Sequence, residues 1–305
     1  LNDTIKIDNN KMYIKHLVLE DIKGNKGILN GHIRHDLLSK FDLNLDMKCR
    51  NFNMLKTKEQ DNDLYYGEFY GTGTGKFTGP LLRAHIACDV ETEKGTKFFL
   101  PIEEEQGYSQ ESYIRFVNID ENLDASKVND QDFSLDLSIT MNTKAETQLI
   151  FDKQLGDIIK ASGNGKINMQ LSPAGELQMF GNYEIDNGNY LFTAFDLINK
   201  KFEVEKGSKI IWTGDPYDAQ IDIKATYLLK TNAYNLASSI PSYDQNRLEQ
   251  YKKPVAVAAN ANLTGSLLKP EIKLDFAFIA DGITDVASLE RDLNNLDLSE
   301  EELTK

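Results

Sequence analysis

Alternation of apolar and polar residues with a period of two constrains the fold of this chain more than any other feature. In the segment DFSLDLSITMN, residues 132–142, one parity is apolar: Phe133, Leu135, Leu137, Ile139 and Met141. This pattern is typical of a β-strand with one buried and one solvent-exposed face. The same period recurs in segments such as FDLNLDMKC, LLRAHIACDV, KINMQLS, AQIDIKATY and EIKLDFAF. The sequence therefore predicts an all-β protein.

Short turn sequences such as GNKG, SPAG and DNGN separate these runs and divide the chain into roughly fifteen candidate strands. Helical periodicity is almost absent before residue 280, so the sheet has to bury its own apolar face by closing or folding over. Fifteen strands spaced about 4.8 Å apart would extend roughly 70 Å. We therefore expect an elongated, strongly curved, folded-over sheet with an apolar inner face.

Helix is expected in two places only. Part of the polar segment 233–254 has helical spacing, and the acidic end 281–305 is expected to form a short C-terminal helix. Near that end, Ser299 and Glu302 fit a capping box for a helix that continues past Lys305. The predicted regions are an upstream part at 1–129, a core at 130–280 with a polar excursion at 228–254, and the truncated helical end at 281–305.

The charge balance excludes some classes of partner. The chain has 34 Lys and Arg against 48 Asp and Glu, a formal net charge of -14, so nucleic acid and anionic headgroups are poor partners for the outer surface as a whole. No window approaches the roughly 20 apolar residues of a membrane-spanning helix. The start, LNDTIKIDNN, lacks the basic and apolar regions of a signal peptide. Because the chain begins at Leu1, we read it as a fragment whose anchor or export signal lies outside it.

No residue pattern indicates catalysis or metal binding. His32 and His35 fall on opposite faces of a strand, so they cannot share a metal ion without a turn between them. The acidic segment DENLDASKVNDQ lacks the glycine and the glutamate of a calcium loop. The glycine-rich segment 71–79, GTGTGKFTG, lacks the ending of a phosphate loop, so it favours a bend or bulge in a strand. We predict a non-enzymatic protein without a metal or cofactor.

The two cysteines cannot define a disulfide framework. Cys49 and Cys88 both fall on the apolar parity of their strands, which favours two small buried side chains. A bridge between neighbouring strands is the alternative, and it would require an oxidising compartment.

One part of the chain carries a specific family resemblance. Between residues 181 and 265 the order GNYEIDNGNY, KFEVEKGS, IIWTGDPYDAQIDIKATY and PVAVAANANLTG combines glycines, aromatic residues and an Asp-Pro break. It resembles the C-terminal domain of the TamB family, the inner-membrane component of the translocation and assembly module of Gram-negative bacteria and one of the AsmA-like, bridge-like lipid-transfer proteins. The matching positions are Gly181, Tyr183, Ile185, Gly188, Tyr190, Phe202, Gly207, Ser208, Trp212, Gly214, Asp215, Pro216, Ile221, Asp222, Ile223 and Ala225. The resemblance is strong over residues 130–280 and weaker over residues 1–129.

The resemblance implies a folded-over sheet known as a β-taco, with a hydrophobic groove along its length. It implies a periplasmic location and a tether to the inner membrane through an N-terminal anchor outside this chain. Two roles follow from it. The first is phospholipid transport between the inner and outer membranes. The second is a scaffold or chaperone role in outer-membrane protein assembly and secretion, with a TamA-like barrel partner of the Omp85 type.

The free-energy cost of exposing an acyl chain to water favours the lipid role. An acyl chain of about fifteen methylenes left in water costs roughly 12 kcal/mol, so transport requires continuous apolar cover. The apolar parity of the predicted strands supplies the candidate lining of a lipid groove: Phe133, Leu135, Leu137, Ile139, Ile167, Met169, Leu171, Leu177, Met179, Ile185, Phe202, Val204, Ile210, Trp212, Ile221, Ile223, Ala225, Val255, Val257, Ile272, Leu274, Phe276 and Phe278. The residues Gly214, Asp215 and Pro216 are expected to turn the chain between strands. The alternative for each lining side chain is a closed, filled core.

Overall fold

The structure is a computed structural model that describes residues 5–61, 65–101, 133–152, 157–194, 198–232 and 254–279, together with residues 234, 238, 252 and 291. Its strands are β1 (Lys6–Asp8), β2 (Lys11–Glu20), β3 (Lys26–Asp36), β4 (Ser39–Thr57), β5 (Tyr66–Pro80), β6 (His85–Thr92), β7 (Lys97–Pro101), β8 (Ser134–Met141), β9 (Glu146–Asp152), β10 (Asp157–Leu171), β11 (Leu177–Ala194), β12 (Ile198–Val204), β13 (Lys209–Gly214), β14 (Gln220–Asn232), β15 (Pro254–Ser266) and β16 (Pro270–Ile279). The described connections after β5 and β13 contain single 3₁₀ turns, Leu81–Arg83 and Pro216–Asp218. The all-β class is confirmed. Within the two segments where helix is expected, 233–254 and 281–305, the described residues Tyr234, Ser238 and Arg291 are helical, and the length of either helix lies outside the described residues.

All sixteen strands belong to one sheet. Its main path runs β1-β2-β3-β4-β5-β6-β8-β10-β11-β12-β14-β15-β16, with β7, β9 and β13 paired beside it. Neighbouring strands are antiparallel except for two parallel pairs, β6 with β8 and β7 with β9. The pair β6–β8 crosses the predicted boundary at 129/130, so the two predicted regions share the sheet. Strand β14 extends to Asn232, which makes the first residues of the predicted polar excursion part of a strand.

Six strands close into a barrel. One half of β5 pairs with β6 and the other half with β7, while one half of β10 pairs with β8 and the other with β9. Together with the two parallel pairs, the circuit β5-β6-β8-β10-β9-β7 returns to its start. Strands β1–β4 extend from β5, and β11–β16 extend from β10. The sequence expectation of one elongated curved sheet does not include this closure, which arises because β5 and β10 each change partner along their length.

The two strands that change partner are rich in glycine. The segment GTGTGKFTG lies inside β5, and the β4–β5 register shifts between Cys49 and Phe52, opposite this segment. A Cβ added at Gly73 would lie 2.1 Å from the carbonyl oxygen of Asp89 on β6. In β10 the register with β11 shifts between Ser162 and Gly163. Glycine therefore permits both the close strand approach and the irregularity needed for bending.

An apolar inner face runs from strand to strand across the sheet. On seven strands from β4 to β13, residues in register form one row: Cys49, Gly73, Val90, Ile139, Ile167, Gly181 and Trp212. The five non-glycine side chains of this row are buried. The core of the protein is therefore the inner face of the sheet.

Candidate functional site

An apolar cavity of about 60 Å³ lies between the strands β7 and β9 and the inner face of the sheet from β8 to β13. Its lining comes from β5, β7, β8, β9, β10, β11 and β13, and includes Phe98, Leu149, Ile167, Tyr183 and Trp212. An engineered apolar cavity of about 150 Å³ binds benzene, so this cavity is too small for an acyl chain in the conformation described. The interior is a packed core with a void, and the lipid groove expected from the resemblance is not open here.

The cavity lining shows how far the sheet folds over. Leu149 of β9 is in register with Ile159 of β10, and Trp212 of β13 is in register with Gly181, the β11 partner of Ile167. Ile159 and Ile167 lie on the same strand, about 26 Å apart if that strand were straight. All of these non-glycine residues line one cavity. Strand β10 is therefore bent, and β9 lies across the inner face of β11 and β13.

Two hydroxyl groups interrupt the apolar wall of the cavity. The Tyr183 hydroxyl and the Thr147 Oγ1 are buried, and neither has a hydrogen-bond partner of normal geometry in the described part of the chain. Burial raises the pKa of Tyr183 to about 12, and the neighbouring Thr147 hydroxyl opposes this rise in part. Tyr183 is therefore a neutral phenol at physiological pH. None of the described residues that line the cavity is charged.

Trp212 is held in place by the turn that follows β13. Its indole Nε1 donates a hydrogen bond of 3.1 Å to the carbonyl oxygen of Pro216, which is itself buried. The side chain of Asp215 accepts a hydrogen bond of 2.9 Å from the backbone N–H of Tyr217 and begins the 3₁₀ turn. Gly214 precedes it with φ +154, in backbone space that favours glycine. The sequence Trp-Thr-Gly-Asp-Pro thus both turns the chain and satisfies the one polar atom of the indole.

The predicted lining residues fall into three groups. The buried group is Ile139, Ile167, Met169, Met179, Ile185, Phe202, Val204, Ile210, Trp212, Ile221, Ile223, Ala225 and Val257. The half-buried group is Leu135, Leu137, Leu171, Leu177, Leu274, Phe276 and Phe278. Phe133 and Ile272 are exposed, and the side chain of Val255 on β15 lies outside the described part. The cavity brings together six of these residues: Ile139, Ile167, Met169, Met179, Ile210 and Trp212.

The structure adds cavity residues that sequence reasoning missed. These are Phe69, Phe98, Leu100, Met141, Thr147, Leu149, Ile159, Ala161 and Tyr183. Several lie on the short strands β7 and β9, whose segments KFFLP and ETQLIFD show little alternation. Tyr183 and Met141 did carry a signal, because one matched the family pattern and the other continued an alternating run.

Both cysteines are free thiols. Cys49 is buried, and Cys88 is half-buried. They flank β5, where Cys49 is in register with Gly73 and Cys88 with Gly75. Burial raises the pKa of both thiols, and the charge of Cys49 adds to the rise at Cys88. The cysteines therefore do not form the interstrand bridge left open by the sequence.

In the described ranges no three His, Cys, Asp or Glu side chains come together as a metal site. None of the helical segments described there has the length and apolar character needed to cross a membrane.

The fold and the interior define a class: an all-β protein that buries an apolar inner face by bending and closing its own sheet. Within that class, the family described as TamB C-terminal domain matches residues 17–289, and the chain belongs to this family. The match confirms the resemblance and extends it through most of the upstream region. Family membership supports a TamB-like role in the cell envelope. Comparison with curated proteins finds no match.

Proposed function

We propose that this protein is a periplasmic segment of a bridge-like protein that shields phospholipid acyl chains during transport between the inner and outer membranes. It acts without catalysis, and an N-terminal anchor outside this chain tethers it to the inner membrane. The apolar inner face that runs across the strands carries this proposal. One row of residues in register on this face passes through seven strands from β4 to β13.

The small cavity adds a condition to this proposal. A void of about 60 Å³ cannot accept an acyl chain, so a lipid has to separate the strands that cover the inner face. The cover to be moved is β7 and β9, because Leu100 and Leu149 on these strands line the cavity with Trp212 of β13. We infer a closed, lipid-free state and an open state in which the folded-over sheet becomes the groove of a β-taco.

The outer strands suggest where lipid enters. On the inner faces of β3 and β16, Leu29, Ile33, Leu274 and Phe276 are only half-buried. Partly covered apolar side chains next to a covered core give an acyl chain a favourable surface before it reaches the barrel. Transport then follows one apolar face from partly open strands to a closed centre.

A matched pair of neighbouring positions on β11 tests the proposal. Met179 lines the cavity, whereas Phe180 lies on the opposite face and is exposed. A photocrosslinking phenylalanine analogue is placed at each position in turn, and the purified protein is irradiated with phospholipid and analysed by mass spectrometry. Phospholipid attached at 179 and absent at 180 supports an acyl-chain site on the inner face. Lipid at neither position, in a folded sample, contradicts it.

One observation favours a second function, the scaffold or chaperone for outer-membrane proteins with a TamA-like, Omp85-type barrel. Strand β16 is ten residues long and pairs, among the described residues, only with β15. If this edge is open, its length would let it accept a strand from another protein. Crosslinkers placed on β16 should then capture unfolded outer-membrane protein, whereas the lipid model predicts no such product.

A further inference from the structure

A second apolar surface lies outside the barrel, at one end of the sheet. Leu37 and Leu38 form the turn between β3 and β4 and are 93% and 63% exposed. Leu81 and Leu82 form part of the 3₁₀ turn after β5, and both are more than half exposed. We call these four side chains the leucine tips. The two pairs lie in turns at the same end of adjacent strands.

The register places the two turns side by side. Asp42 of β4 is in register with Pro80, the last residue of β5, and β4 contacts the turn that follows. Strand β4 begins at Ser39, so the turn between β3 and β4 projects beyond the end of β5. Ile22, in the turn between β2 and β3, lies at the opposite end of these strands. The leucine tips are therefore a localised, protruding feature.

The β3–β4 turn has an unusual residue choice for its backbone. Leu37 and Leu38 have φ values of +48° and +60°, and two successive positive φ values define a turn that strongly favours Asn-Gly. The Nδ1 atom of His35 accepts a hydrogen bond of 3.3 Å from the Leu38 N–H, which holds the turn. Leucine does not suit this backbone, so its presence at both positions has no explanation within the turn.

A cleft of about 810 Å³ adjoins this turn and has a basic character. Arg34 and Lys40 line it together with one acidic residue, Asp36. Within the described part of the chain, no carboxylate lies within 4.0 Å of either basic side chain. His35 also lines the cleft and is 7% exposed, and its Nε2 has no hydrogen-bond partner among the residues that the structure describes. Because Nδ1 accepts a hydrogen bond, Nε2 carries the proton and is a donor without an acceptor.

We propose that the leucine tips contact the surface of a phospholipid bilayer that contains anionic lipid. Apolar side chains flanked by basic residues match the boundary between acyl chains and headgroups, where interfacial elements insert by about 5–10 Å. Arg34 and Lys40 then bind lipid phosphate beside the inserted leucines. A protein partner of standard affinity would need about 800 Å² of matched surface, which two narrow turns do not present.

The bilayer contact is distinct from the proposed function. It concerns a bilayer touched from outside at the strand ends, whereas the proposed function concerns single lipids on the inner face. It also explains how a chain with a net charge of -14 approaches an anionic membrane, because most of its surface is repelled and this end is not. The bilayer contact would place these strand ends at the membrane surface, where lipids enter or leave the protein.

The test is sedimentation of the protein with vesicles of phosphatidylglycerol or of phosphatidylcholine alone. The wild type should bind phosphatidylglycerol vesicles more tightly. The double variant L37N/L38G provides the residues that the turn favours, so it should fold at least as well. Its binding should fall by about tenfold or more, as expected for losing buried leucines. Ile22→Asn, at the opposite end, is the matched control and should bind like the wild type.

Two further experiments test the role of the basic residues and whether the bound phosphate belongs to a lipid. Arg34→Gln and Lys40→Gln should each reduce the preference for phosphatidylglycerol and weaken its dependence on salt. Binding of inorganic phosphate without vesicle binding would overturn the proposal and indicate a simple anion site. Unchanged vesicle binding by L37N/L38G would also overturn it. Crosslinking of lipid at Met179 should persist in L37N/L38G, so the bilayer contact and the inner-face site can fail independently.

Discussion

The barrel and the upstream strands carry similar inner faces, yet they bury them to different extents. In the barrel, Val90, Leu149 and Ile159 are almost fully buried. On β3, Leu29 and Ile33 occupy the same kind of inward position but are only half-buried. The difference arises because β7 and β9 lie across the inner face of the sheet at the barrel, whereas no described strand lies across β3 in this way. Alternation decides which side chains face inward, and sheet closure decides which of them are removed from water.

The largest expected effect compares isoleucines in the two regions. Ile159→Ala should lower the free energy of unfolding by about 3–4 kcal/mol, because it enlarges the cavity of a packed core. Ile33→Ala should cost about 1 kcal/mol, since its side chain is already partly hydrated. Urea denaturation of both variants measures the difference. Equal losses would mean that the two regions are equally covered in solution.

Glycines provide a second comparison. Gly73→Ala in β5 should destabilise the protein by about 2–3 kcal/mol, because the new Cβ would lie 2.1 Å from the Asp89 carbonyl oxygen. Gly24→Ala, in the turn between β2 and β3, should lower the free energy of unfolding by about 1 kcal/mol. Its φ of +84° disfavours a side chain, but the nearest atom, a carboxylate oxygen of Glu20, is 3.5 Å away. A larger loss at Gly24 would place the tighter strand contacts in the upstream region instead.

Substitutions in the exposed β3–β4 turn should raise the stability of the protein, unlike the substitutions above. The L37N/L38G variant should stabilise the protein by about 1 kcal/mol, because Asn and Gly tolerate positive φ values. The matched change L81N/L82G should give no such gain, since the turn Leu81–Arg83 has no residue with positive φ. Thermal unfolding distinguishes the two variants. A loss of stability in the first would show that the leucines have a structural contact.

The smallest expected effect is a pH dependence in the upstream region. Burial alone would raise the pKa of Asp21, but hydrogen bonds from the Asn25 side chain and from the backbone of Asn53, Asn25 and Lys23 lower it to about 2. A depressed pKa contributes stability above the ordinary value of 3.8, and that contribution is lost as the pH falls toward 2. Asp21→Asn should flatten the stability profile in this acid range. An unchanged profile would show that Asp21 does not hold the β2–β3 turn to β4.

Much of the fold could be predicted because its signals are local. The alternation in β8 and β14 and the turn at Gly214, Asp215 and Pro216 are visible within about ten residues of sequence. Closure could not be predicted, because it depends on β5 and β10 each pairing with two partners far away in the sequence. For the same reason Phe98, Leu149 and Ile159 were missed as cavity residues, whereas Ile167 and Trp212 were found.

The shape of the candidate site also could not be predicted from the sequence. Period two identifies one apolar face but does not distinguish an open groove from a filled barrel, since both require the same side chains on the same parity. Ile223 illustrates this: the sequence placed it on the inner face, and it is fully buried among side chains, away from the cavity. Only the pairing of strands that are distant in the sequence determines where a cavity forms on the inner face.

If phospholipid reaches the apolar cavity on the inner face of the sheet, Trp212 reports on it directly. It is the only tryptophan of the chain, and it lines the cavity. Phospholipid with brominated acyl chains quenches tryptophan emission on contact, so adding it to the purified protein should quench Trp212. The control is W212F/F180W, which moves the tryptophan to the opposite, exposed face of β11 and should show little quenching. Bound lipid with undiminished Trp212 emission would contradict the account.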